Sequence, residues 1–267
     1  PPRSTLFPYT TLFRSPLPLR RKAGTLPAMG RNDMKKTAGA KPGRTSWGLW
    51  RRRECWVPTG RGWLVFGLLA AGLALAAANT LHPFLAPDAP LRGEVLVVEG
   101  WAPDYALQAA MAEFKSHPYQ RIYVTGGPLE AGAPLFQYRS YAERGAATLI
   151  AFGLSRESVQ AVAAPRVERD RTYASAVALK RYLLQHGGLP RSLDVITVGP
   201  HARRTRLLFT YALSPQTRVG ILSIPSRDYN PRRWWKSSAG VRFMLDEAIA
   251  YFYARLFFSA ESSVLDV

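Results

Sequence analysis

The sequence predicts a three-layer α/β domain with a mainly parallel sheet, preceded by one transmembrane helix. Three observations carry that prediction. Short apolar runs alternate with helix-period segments over the last two-thirds of the chain, and β-α alternation of this kind builds a parallel sheet covered on both faces. Glycine and proline punctuate the junctions, as strand and helix ends require. Ahead of them all, residues 62–81 form twenty consecutive positions without a charge.

The elements follow in order. "EVLVVEG" (94–100) reads as a buried strand, and "YALQAAMAEFKSH" (105–117) has helical spacing. "RIYVTGG" (121–127) is a second strand, closed by a glycine pair, and "YRSYAERGAATLIAFG" (138–153) is a helix. "VQAVAAP" (159–165) is a third strand, followed by the helix "RTYASAVALKRYLLQHG" (171–187) with glycines as its stop. "DVITVG" (194–199) is the next strand, broken by Gly199 and Pro200. The spacing of Leu207, Leu208 and Tyr211 then starts a helix near His201. "RVGILSIPS" (218–226) is the last strand, and "AGVRFMLDEAIAYFYARLFF" (239–258) closes the chain as a long helix. No internal repeat is present.

Residues 62–81, "GWLVFGLLAAGLALAAANTL", would span roughly 30 Å as a helix, the thickness of a hydrocarbon core. Arg51, Arg52, Arg53 and Arg61 precede the stretch, and the first charge after it is Asp88. The positive-inside rule keeps such an N-terminus cytoplasmic and sends the rest outward. Trp56 and Trp63 stand at the inner boundary, where aromatic rings favour the interface. A cleaved signal peptide and a buried core helix are the alternatives; "ALAAA" offers a cleavage-like site, but the apolar stretch is long for a signal. Residues 82–92, with three prolines, read as a stiff linker, and 93–267 as the α/β domain.

The net charge of +18 would signal nucleic acid if it were spread over the fold. It is not: residues 1–61 hold 14 Lys/Arg against Asp33 and Glu54. That Pro-, Gly-, Arg- and Ser-rich segment lacks apolar periodicity and is expected to be a disordered leader, so no nucleic-acid partner is implied. Its first fifteen residues, "PPRSTLFPYTTLFRS", read as foreign to the rest, and Met29 or Met34 would serve as a start. One cysteine leaves no disulfide framework, and no pair among the four histidines has metal-ligand spacing. No metal or cofactor is named by these residues.

In an open α/β sheet, ligands bind beyond the strand C-terminal ends. Those ends carry Glu99-Gly100-Trp101, Thr125-Gly126-Gly127, the segment from Asp170 to Ser175, and "GPHAR" from Gly199. Each has a plainer alternative. Gly126 and Gly127 would also suit a tight turn, Asp170 or Thr172 a helix cap, Ser175 close helix packing, and His201 a cap or packing role. There is no G-x-S-x-G, P-loop or H-E-x-x-H, which argues against a serine hydrolase, a kinase and a zincin.

The ordered set of strand–"GG" loop, "DRTYASA" helix start, "GPHARRTRLLF" unit, and a closing tryptophan and glutamate (Trp234, Glu247) resembles the SanA/ElyC/YdcF family of bacterial envelope proteins. The likeness covers roughly residues 93–258, and implies a Rossmann-like domain behind a single N-terminal membrane anchor. It puts the family's helix-start threonine on Thr172, its asparagine on Ser175 and its glutamate on Ala174. The strand-end histidine falls on His201, the arginine after it on Arg204, and the double glycine on Gly126 and Gly127. The first loop, "EGWAPDYAL", lacks the family's arginine, and Tyr141 stands where an acidic residue is common, with Glu143 nearby.

The resulting expectation is an inner-membrane, single-pass protein whose outward-facing domain serves envelope biogenesis or barrier function. It would bind or process a phosphate-bearing envelope metabolite, a lipid-linked sugar being one example. Arg204 would hold phosphate, with Thr172 and Ser175 as donors beside Gly126 and Gly127, while His201 acts as acid or base, and Asp170 or Glu99 orients it or a substrate hydroxyl. Arg203 and Arg206 would point elsewhere, solvated or toward lipid headgroups. The alternative is a non-catalytic envelope module that binds such a ligand or a partner protein.

Overall fold

The computed structural model describes residues 49–52, 56–129 and 137–259. Most of the leader expected to be disordered, residues 1–48 and 53–55, lies outside that range. Where the leader is described, β1 (Trp50–Arg52) and β2 (Trp56–Pro58) pair as short antiparallel strands, which no apolar pattern predicted.

The anchor candidate is α1 (Gly60–Leu85), capped by the Thr59 hydroxyl on the Gly62 N–H. It is long and apolar enough to cross a membrane, and none of its most apolar 18-residue window is buried within the protein. Leu64, Leu68, Leu69, Leu73 and Leu75 all face outward, opposite to what a core helix would do. Its polar side chains turn inward on the helix: Asn79 and Thr80 donate to the Leu75 and Ala76 carbonyls.

The helix does not stop at 81. It continues through Pro83 to Leu85, which is fully buried against Tyr229, Trp234 and Met244. Proline is tolerated this close to the helix end because little helix follows the bond it forfeits. The segment after it is no free linker either. Ala89 exchanges backbone hydrogen bonds with Ile221, and the Leu91 and Gly93 N–H groups donate to the Asp194 carboxylate at 2.6 and 2.8 Å.

The domain comprises β3 (Val95–Glu99), α2 (Asp104–Ser116), β4 (Arg121–Gly126), α3 (Tyr141–Ala151), β5 (Val159–Ala163), α4 (Arg171–Gln185), β6 (Ser192–Val198), α5 (His201–Leu213), β7 (Arg218–Ile224) and α6 (Ser238–Leu256). All five strands are parallel, in the order β5-β4-β3-β6-β7, a Rossmann-like sheet. The period of two sorts side chains between the faces. Val95 and Val97 pack toward α4 and α5, while Leu96 and Val98 pack toward α2 and α3. Chain order reverses between β3 and β6, so the switch-point crevice opens beyond Glu99 and Val198.

Candidate functional site

Three polar residues end adjacent strands on the face shared with α4 and α5: Glu99, Thr125 and Thr197, all nearly inaccessible. Gly199 makes the turn from β6 into α5 with φ +50°, a conformation that a side chain would disfavour. From His201 onward, the three- and four-residue helical spacing puts His201, Arg204 and Thr205 on one face of α5. Glu247 of α6 closes the group from the opposite side.

These side chains form one buried network. His201 Nδ1 lies 2.8 Å from Glu247 Oε1, and its Nε2 faces Glu99 Oε1 at 3.4 Å, outside hydrogen-bond alignment. Arg204 grips Glu247 with two donors, Nε to Oε2 at 2.9 Å and Nη2 to Oε1 at 3.0 Å. Glu99 Oε2 accepts from the Thr197 hydroxyl in a very short contact and from Thr205 at 3.4 Å. Trp101 meets the His201 ring edge-on at 5.2 Å.

Burial alone would strip the charge from each of these groups, but their pairing outweighs it. Burial works to lower the His201 pKa, yet Glu99 and Glu247 push it up to about 9. Burial works to raise the Glu247 pKa, yet His201 and Arg204 hold it down at about 2. Glu99 likewise stays below the usual carboxylate range against its burial, through His201 and Thr197. At neutral pH the floor is therefore an imidazolium between two carboxylates, beside an arginine.

Above this floor opens a cleft of about 810 Å³. All eight residues singled out from the sequence line it: Glu99, Gly126, Gly127, Asp170, Thr172, Ser175, His201 and Arg204. The Thr125 hydroxyl and His201 Nε2 are buried here without a hydrogen-bond partner. Thr172 and Ser175, each more than nine-tenths buried, stand at the first turns of α4 on the same wall. The unpartnered Thr125 hydroxyl and His201 Nε2 cost free energy unless something enters to satisfy them.

Several expected roles change. Arg204 commits two of its donor atoms, Nε and Nη2, to Glu247, so of its guanidinium only Nη1 is left for a phosphate in the cleft it lines. Asp170 does not orient His201, whose carboxylate partners are Glu99 and Glu247. Asp170 is the residue preceding α4 and adopts left-handed backbone (φ 55°) with no capping bond from its side chain, so it is not a simple cap. Gly126 serves packing: a Cβ there would sit 2.7 Å from that of Tyr141, so its bareness admits the start of α3. Gly127 has open space and needs no special conformation.

Arg203 and Arg206 do leave the site face, but neither is merely solvated. The Arg203 guanidinium lies 4.1 Å over the Phe84 ring and bonds the Phe84 carbonyl, while Arg206 donates to the Val219 carbonyl at 3.1 Å. Glu247, named only through the family likeness, proves central. Thr125 stood among the strand ends, whereas Thr197 and Thr205 were missed as site residues, and only the period-two register of β6 and the helical spacing of α5 could have pointed to them. Among the described residues, no group of three or more His, Cys, Asp or Glu is gathered as a metal ion would need. No protein-family model matches this chain, and no curated protein does.

Proposed function

We propose that the chain is a membrane-anchored, outward-facing α/β protein of the bacterial envelope that binds or processes a phosphate-bearing, lipid-linked metabolite in the cleft over His201. The resemblance to the SanA/ElyC/YdcF family favours the same reading. One observation carries it: a buried imidazolium lines a cleft in which the buried Thr125 hydroxyl has no hydrogen-bond partner, with Thr172 and Ser175 on the same wall. A phosphate at the start of α4 would meet unsatisfied backbone N–H groups together with Thr172 and Ser175. His201, protonated at neutral pH, would face its oxygens and supply charge or a proton.

The neutral balance of the floor favours a second reading, binding without turnover. Two cations and two carboxylates balance in charge, and Arg204 commits its Nε and Nη2 to Glu247. The full chain in nanodiscs, titrated with a short-chain polyprenyl phosphate and followed by phosphorus NMR, tests both. Saturable binding that weakens about tenfold or more in a Thr172→Val/Ser175→Ala double variant is expected. Equal binding by the double variant would overturn the site. Release of phosphate or sugar from the bound lipid separates an enzyme from a binding module. For orientation, a reporter fused after Val267 is expected to be active only outside the cytoplasm, and cytoplasmic activity would overturn that assignment.

A further inference from the structure

The short segment before α6, "PRRWWK" (Pro231–Lys236), folds as a turn of 3₁₀ helix and takes no part in the cleft. Its two tryptophans behave differently. Trp234 is buried, and its indole N–H donates to the Ala78 carbonyl of α1 at 2.9 Å. Gly240 lets its backbone come close, since a Cβ there would meet the Trp234 carbonyl oxygen at 2.4 Å. Trp235 packs edge-on against it at 5.9 Å and stays exposed, as do Arg232, Arg233 and Lys236.

Ala78 fixes the height of this cluster. It lies three residues before the end of the 62–81 stretch, on the domain side, where roughly 25 Å of helix has been used. The cluster therefore sits where α1 would leave the hydrocarbon, the level at which Trp and Lys/Arg side chains are favoured. Among the described residues, Arg232, Arg233 and Lys236 make no ion pair, so their charges face outward.

We propose that residues 231–236 are a second membrane contact, with Trp235 in the interface and Arg232, Arg233 and Lys236 on the phosphates of anionic lipid headgroups. This rests on the reading of α1 as a membrane-spanning helix. The contact would hold the domain at a set height and tilt, so that the cleft meets ligands carried by the same leaflet. The charges set the choice of occupant: three uncompensated cations beside an exposed indole, continuous with α1, suit an anionic bilayer surface.

The test uses the full chain with Cys55→Ser and a single environment-sensitive label at Ser238→Cys, Leu73→Cys or Leu184→Cys. Each is placed in nanodiscs of phosphatidylcholine with or without phosphatidylglycerol, with lipids spin-labelled near the headgroup or deep in the acyl chain. The label at 73 should be quenched by the deep spin. The label at 238 should be quenched by the shallow spin, more strongly with phosphatidylglycerol, and the label at 184 by neither. Each of Arg232→Gln, Arg233→Gln and Lys236→Gln should lower the seated-to-unseated ratio about fivefold in anionic discs. Quenching at 73 with none at 238 would overturn the second contact and leave the anchor standing, as a protein-binding role for the patch would require. Absence of quenching at both positions would overturn the anchor itself. Equal quenching at 184 and 238 would mean unspecific adhesion and would also overturn the proposal.

Discussion

Two carboxylates are buried in the sheet, one toward each end of its strands, and they do different work. Asp194, fully buried in β6, accepts from the Leu91 and Gly93 N–H groups and from the Tyr119 hydroxyl at 3.1 Å. All of its partners are neutral, and the space around it is full: a Cβ on Gly220 would come within 1.9 Å of its Oδ1. Glu99, at the other end of β3, faces an imidazolium across 3.4 Å and borders an open cleft. Both carboxylates are shielded from water. What separates them is whether the shell is closed. Asp194 staples residues 91–93 to the sheet, whereas Glu99 sets the charge state of a group that still has a face to offer.

The comparison is tested most severely at Asp194. Asp194→Ala would leave the part-buried Leu91 and Gly93 N–H groups without their acceptor, while the Tyr119 hydroxyl keeps Glu113 at 3.2 Å. At about 1 kcal/mol or more per donor, the expected loss in chemical unfolding is at least roughly 2 kcal/mol. The protein that remains folded should bind ligand as before. An unchanged stability would mean that the staple is dispensable.

Glu247→Ala comes next. It strands His201 and Arg204, and loss of one partner in a buried pair typically costs about 3–5 kcal/mol. The lower end is expected here, because Arg204 keeps some access to water. The pH dependence follows from the same network. Glu247 is held below its ordinary value, so its contribution is present above about pH 4.5 and is lost as pH falls toward about 2. His201 is raised, so its contribution is complete below about 6.5 and is lost as pH rises through about 9. Melting temperature in nanodiscs should therefore be highest between those limits, and His201→Gln should flatten the alkaline decline.

Glu99→Gln sharpens the contrast with little cost in stability, about 1 kcal/mol, because Thr197 and Thr205 keep an acceptor. Its signature should be electrostatic: the His201 titration moves down from about 9, while Asp194→Asn leaves it in place. If both variants moved it equally, the two carboxylates would not differ as described. The smallest effect is expected at Arg203→Ala. It removes a cation–π contact and a backbone bond to Phe84 at the α1 junction, worth about 0.5–1 kcal/mol, and should spare the cleft.

The α/β order was legible because each strand is a compact apolar run bounded by Gly, Pro or charge, and each helix keeps its spacing. The gathering of Glu99, Thr172 and His201 at one cleft was legible for the same reason: parallel strands put them at one edge whatever the details of packing. Partnership was not. Glu247 lies 46 residues beyond His201, on a helix whose approach depends on Gly240 and Trp234, so no local spacing links the two. Asp194 looked like the polar start of a strand because its acceptors are filled by chain about a hundred residues earlier. The junction of α1 with the domain was hidden by Pro83, which reads as a helix stop yet lies inside the helix.

The central claim is that His201 is an imidazolium poised on a ligand cleft, and nitrogen NMR of the histidine-labelled full chain in nanodiscs tests it most directly. The account predicts a His201 ring that stays doubly protonated to about pH 9 and shifts saturably on addition of a short-chain polyprenyl phosphate, while His117 and His186 do not respond to it. A His201 ring that loses its proton near pH 6.5, or that ignores the phosphate at every concentration, would contradict it.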